Sequence, residues 1–129
     1  MVFDIDDRFS QMMATAARHR AADLRHARFH LLTRLRLVGV REISGTYDGY
    51  GDSGNFEDIC LDGGKIIPSD DLCQAVGNFV WDVAYYHHNG FENNEGGFGE
   101  MTWDIDADAI SLDHHARFIE TAHSFHDGI

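Results

Sequence analysis

Hydrophobic positions follow three different rhythms along the chain, and each rhythm predicts a different kind of element. Between Arg8 and Val38 there is no proline or glycine, and Ala, Leu, Met and Arg dominate. All four are good helix formers, so a long helix, or two in succession, is predicted. Leu24, Ala27, Leu31, Leu35 and Val38 recur at three- and four-residue spacing and give its second half an apolar stripe that Gly39 ends. Phe9, Met12, Met13 and Ala16 share one side of the first half, a surface suited to a dimer, with packing on its own sheet the simpler expectation. Residues 40 to 47 switch to extended character around Ile43 and Tyr47, and a second strand over residues 55 to 61 returns antiparallel. Asp62-Gly63-Gly64 carries a hairpin signal, which adds a short third strand over Lys65 to Ile67.

Pro68-Ser69-Asp70-Asp71 opens the next helix, with Ser69 as N-cap and two carboxylates in the first turn, where the helix dipole favours them. Leu72, Val76, Phe79, Val80 and Val83 fall on its apolar face, and Asn89-Gly90 is its natural stop. The third rhythm is strict alternation. Met101, Trp103 and Ile105 alternate with Glu100, Thr102 and Asp104; after a turn at Asp106-Ala107-Asp108, Ile110 and Leu112 alternate with Ser111 and Asp113. The tail from Ala116 has room for one helical turn.

The order α-β-β-(β)-α-β-β implies an α+β two-layer sandwich, an antiparallel sheet of four to five strands with helices on one face. An Arg-rich helical segment, residues 1–38, packs on an α+β core over 39–118, and 119–129 form a C-terminal tail. With the apolar positions turned to the helices, Glu100, Thr102, Asp104, Ser111 and Asp113 must point into water.

Charge narrows the class of partner. The net charge of -12 divides unevenly: eight arginines against four aspartates in residues 1–41 leave the remainder at -16, with Lys65 and Arg117 as its permanent cations. Such a field repels nucleic acid and membrane headgroups and attracts basic protein surfaces. No apolar leader opens the chain and no run reaches the ~20 apolar residues that cross a bilayer, so a cytoplasmic protein is expected. Cys60 and Cys73 lack metal-binding or disulfide spacing and are expected to be reduced. The nine histidines would weaken the acidic field as they titrate between about pH 7 and pH 5.

Candidate chemistry concentrates in two glycine-rich, acid-rich stretches, Tyr47 to Glu57 and Phe91 to Glu100. They follow different strands and are expected to meet at one rim of the sheet. Gly51-Asp52-Ser53-Gly54 matches the tetrapeptide around the nucleophile of trypsin-like proteases, but that chemistry needs a two-barrel scaffold that this length excludes. Calcium-loop spacing fails from both Asp48 and Asp104, because the required glycine and final glutamate are missing. The histidine pairs His87-His88 and His114-His115, with His123 and His126 three apart, invite zinc, yet adjacent strand residues face opposite sides, so that one of His114 and His115 at most could serve any one site. No catalytic residue and no cofactor is assigned. A Ca, Mg or Zn site built from Asp48, Asp52, Glu57 and Glu100 remains the rival reading, as a metal-binding protein or metal-dependent hydrolase.

Tyr47-Asp48-Gly49-Tyr50-Gly51-Asp52-Ser53-Gly54 with Asn55-Phe56-Glu57, and Glu92 to Glu100 followed by Trp103-Asp104 and Leu112-Asp113-His114, resemble a family of small uncharacterised proteobacterial proteins of plasmids and prophages. The resemblance covers roughly residues 35 to 118; His115-Ala116 departs from it, and no established activity comes with it. It implies a mobile-element context, and with the acidic charge suggests a non-enzymatic interaction protein. The concrete version is an inhibitor of the anti-CRISPR kind that occupies a host defence complex's basic nucleic-acid channel. Its contacts would be Asp48, Tyr50, Asp52, Glu57, Glu92, Glu95, Phe98, Glu100, Asp104 and Asp113, with Phe56 as a further aromatic or a core residue, in a monomer or homodimer.

Overall fold

The computed structural model describes residues 5–64, 68–93, 95–118 and 123–128. Six elements follow in chain order: α1 (Ile5–Leu37), β1 (Glu42–Tyr50), β2 (Ser53–Asp62), α2 (Asp70–His87), β3 (Gly97–Asp104) and β4 (Ala109–Ala116). The strands form one antiparallel sheet in the order β2-β1-β3-β4. The architecture is α+β, two helices against a four-stranded sheet. The expected short strand over Lys65 to Ile67 lies outside the described residues. The described tail residues, 123–128, hold no helix.

Local sequence sets each boundary. Val40 donates to the Leu35 carbonyl and Gly39 to that of Arg36, the bonds of a Schellman cap, while Val40 and Leu35 bury together. The β1–β2 connection is a two-residue turn, Gly51-Asp52, with φ of 60° and 66° at the two positions. Positive φ at both central residues matches the twist of a hairpin, and Gly and Asp are residues that tolerate it. Much of the first glycine-rich stretch is therefore strand. Ser69 caps α2, its hydroxyl accepting from the Leu72 amide at 3.2 Å.

Alternation builds the core. Ile43, Tyr47, Met101 and Trp103 are buried from the sheet, Ile105 from the turn just after β3, and Leu72, Val76, Phe79, Val80 and Val83 from α2. Because β2 and β3 both run antiparallel to β1, α2 carries the chain across β1 between two parallel strands. Leu31 and Leu35 add the second half of α1, which is tied down by Arg28 to Asp108, Arg34 to Asp71 and Arg36 to the Ile105 carbonyl. The first half differs from the expectation of packing on its own sheet. Phe9 and Met12 are 62% and 69% exposed, because the sheet ends before the helix does.

Candidate functional site: the open face of the sheet

The face of the sheet turned away from the helices is a ladder of cross-strand rows whose contents the register fixes. Asp62, Glu42 and Asp104 stand side by side across β2, β1 and β3, all exposed. Two residues along each strand come Cys60, Ser44, Thr102 and Ser111, a neutral row. In the next row Thr46 faces Glu100, which faces Asp113. On its other side β2 bulges between Phe56 and Ile59, so that Glu57 and Asp58 together oppose Thr46, whose hydroxyl accepts from the Asp58 amide at 3.1 Å. Acidic rows thus flank a hydroxyl and thiol row.

Beyond them the face changes character. Asn55, Asp48, Phe98 and His115 form one row, and Tyr50 opposes Ser53 at the tip. His115 stacks on Phe98 with ring centroids 4.9 Å apart, and the Arg117 guanidinium lies 4.7 Å from the same ring. Arg117 also grips both oxygens of Asp48 at 2.8 Å, and this hydrogen bonding holds the Asp48 carboxyl below its usual range. Phe98 is 41% and Tyr50 66% exposed, so an aromatic patch with one clamped cation borders the acidic rows.

The two glycine-rich stretches meet at this end. The Asp52 amide donates to the Glu92 carbonyl at 3.0 Å, and Gly97 pairs with Gly49. Gly96, at φ 76°, lies so close that a Cβ there would overlap the Gly49 carbonyl oxygen. Asp48, Tyr50, Glu57, Phe98, Glu100, Asp104 and Asp113 share the open face, and Asp52 is exposed in the turn at its tip. Glu92 is separated from them. Its side chain accepts from the Tyr85 hydroxyl of α2 at 3.3 Å, and its second oxygen is buried without a hydrogen-bond partner among the described residues. Glu95 is half-buried in the connecting loop. Phe56 lies on the helix side against Gly77, half-buried and off the open face.

Glu42 and Asp62, which complete the outer acidic row, were not among the predicted contacts. The signal for them was the parity of the strand: both share the face of Ser44 and Cys60. A second missed feature lies on the helix side. Tyr47, Gly99 and His114 are consecutive in register across β1, β3 and β4; Gly99 has no side chain, so the Tyr47 hydroxyl reaches over it to His114 Nδ1 at 2.7 Å. His88 stacks on the far side of His114 at 3.9 Å. Burial, then the Asp113 charge, pushes Tyr47 up to about 12; burial, then His88 and His115, pushes His114 down. His114 and His115 point to opposite faces, as adjacent strand residues must.

The rival metal set does not assemble. Among the described residues no three His, Cys, Asp or Glu side chains stand close enough to hold an ion, and Asp48 is occupied by Arg117. Both cysteines are free thiols, and no described helix is long and apolar enough to cross a membrane.

Residues 64–127 match the model of a family of unknown function, DUF6878. No curated protein and no solved structure matches the chain. The matched segment takes in α2, β3 and β4, hence Glu100, Asp104, Asp113, His114 and Arg117; β1 and β2, which carry the other half of the open face, lie outside it.

Proposed function

We propose that the protein is a small non-enzymatic interaction module whose open sheet face docks on a basic protein surface. One observation carries this reading: carboxylates are paired with carboxylates. Glu42 is flanked by Asp62 and Asp104, and Glu100 faces Asp113. Like charges directly opposite on neighbouring strands are destabilising. A face that was merely solvated would gain by losing them, whereas a cationic partner turns the repulsion into binding energy and into steering. Phe98 and Tyr50 supply apolar contact area beside the acidic rows, the kind of aromatic contact that docking patches favour.

The finer version is that of a mobile-element-encoded inhibitor whose partner is the nucleic-acid channel of a host defence complex. Lysines and arginines that line such a channel for phosphates are the surface these rows complement. The test is capture from the native host at low and high salt, with Glu100→Lys/Asp104→Lys alongside the wild type. A basic partner retained at low salt, released at high salt and lost with the double variant is the expected result. If that partner is a channel protein, added oligonucleotide competes with capture. Retention that ignores both salt and charge reversal would reject the reading.

A further inference from the structure

The helices leave part of the sheet uncovered on their own side. α2 lies over β1 and β2 while α1 runs beside it, so that Ile110 and Leu112 of β4 are only half-buried. Between α1, α2 and β4 this leaves a cavity of about 540 Å³, inside the ~300–1,000 Å³ typical of small-molecule sites. Leu24, Val83, Ile110 and Leu112 make its apolar floor, and Arg25, Arg28, His87 and His88 stand at its rim. None of the described lining residues is acidic, in a chain with 22 Asp and Glu.

Arg28 is held in place before any ligand arrives. Its Nε donates to Asp108 Oδ1 at 2.9 Å and its Nη2 to the Asp108 carbonyl at 2.6 Å. Asp108 is itself fixed by the Trp103 indole, which donates to the same Oδ1 at 3.0 Å. These bonds use Nε and Nη2 and leave Nη1 for another acceptor, and Arg25 follows one turn earlier on the same helix. A guanidinium held rigid by Asp108, with Nη1 turned to further acceptors and the exposed Arg25 beside it, next to an apolar floor, suits a carboxylate or phosphate attached to a hydrophobic body.

We propose that this groove binds a small organic anion with an apolar body, a carboxylate or a phosphate monoester. Its occupant follows from charge complementarity and volume, and it is independent of the open acidic face. The test uses the full chain and the fluorescent apolar anion 1-anilinonaphthalene-8-sulfonate, with octanoate, phenyl phosphate and octylamine as competitors. One probe is expected per chain, displaced by octanoate or phenyl phosphate but not by octylamine; whichever anion competes better tells the carboxylate source from the phosphate source. Arg25→Glu, at an exposed position that leaves the fold intact, is expected to weaken the probe at least tenfold. Glu100→Lys, on the opposite face, is expected to leave it unchanged, so that this proposal and the docking reading fail separately. Equal displacement by octylamine, an unchanged affinity in Arg25→Glu, or loss of the probe only in Phe9→Ser/Met12→Ser would overturn the proposal. So would a dimer in sedimentation that excludes the probe, since a second copy would then fill the groove.

Discussion

Tyr47 and His114 show how much one pair of side chains can impose on a sheet. The Tyr47 phenol is buried in the core and needs a partner for its hydroxyl, and the partner stands two strands away. The glycine between them is therefore fixed by geometry, since a Cβ on Gly99 would overlap the Tyr47 hydroxyl. Gly99→Ala is expected to cost about 1–3 kcal/mol by overpacking, and Tyr47→Phe about 1–2 kcal/mol by leaving His114 Nδ1 without its hydrogen bond; urea unfolding measures both. His114 also sets a pH dependence. Its folded pKa is pushed below the ordinary 6.5, so the unfolded chain takes up the proton first as the solution is acidified. Stability is then fully present above about pH 6.5 and is lost as pH falls toward the folded value. His114→Gln is expected to flatten that slope in a series of thermal melts, and an unchanged slope would assign it to another group. Tyr47 acts at the other end: its contribution is present below pH 10 and is lost as pH rises toward about 12.

Among elements, the helix boundaries and the alternating strands could be read from the chain because a single local rule governs each. Ser69 caps α2 where it was predicted, and Leu72 to Val83 bury the predicted face. The strands β3 and β4 obey alternation and place Glu100, Asp104 and Asp113 outward as that rule demands. Register is another matter. Which acid stands beside which depends on the β2 bulge and on strand order, both set by long-range pairing that no window of sequence contains. That is why Asp62-Glu42-Asp104 and Tyr47-Gly99-His114 emerged only with the fold. The contact of the glycine-rich stretches has the same origin, and Gly96→Ala is expected to break it: the added Cβ meets the Gly49 carbonyl oxygen at a positive φ. A loss of more than about 2 kcal/mol, with faster amide exchange at Asp52, is the expected outcome. Removing residues 1–19 is expected to leave the melting temperature within a few degrees of the full chain, because Phe9, Met12 and Met13 are exposed where that part of α1 runs. A collapse of the fold on truncation would mean that this half of the helix is covered in solution.

For the whole molecule, charge is distributed and not merely summed. The net of -12 hides an Arg-bearing helix on one side and, on the other, a sheet face whose acids stand opposite one another in register. Composition alone gave the sign of the molecule's own field, and alternation gave the face that carries the acids. The aromatic and arginine end of that face, where Arg117 clamps Asp48 and covers Phe98, needed the fold, because Asp48 and Arg117 are 69 residues apart in sequence. In the proposed docking role the opposed carboxylates serve a basic partner at a cost in stability. The direct measurement pairs two readings on Glu100→Lys, which places a lysine opposite Asp113: the free energy of unfolding, and retention of the host partner at low salt. The expected result is a protein more stable than the wild type by about 0.2–1 kcal/mol that no longer holds its partner. Undiminished retention, with or without that gain in stability, would contradict it.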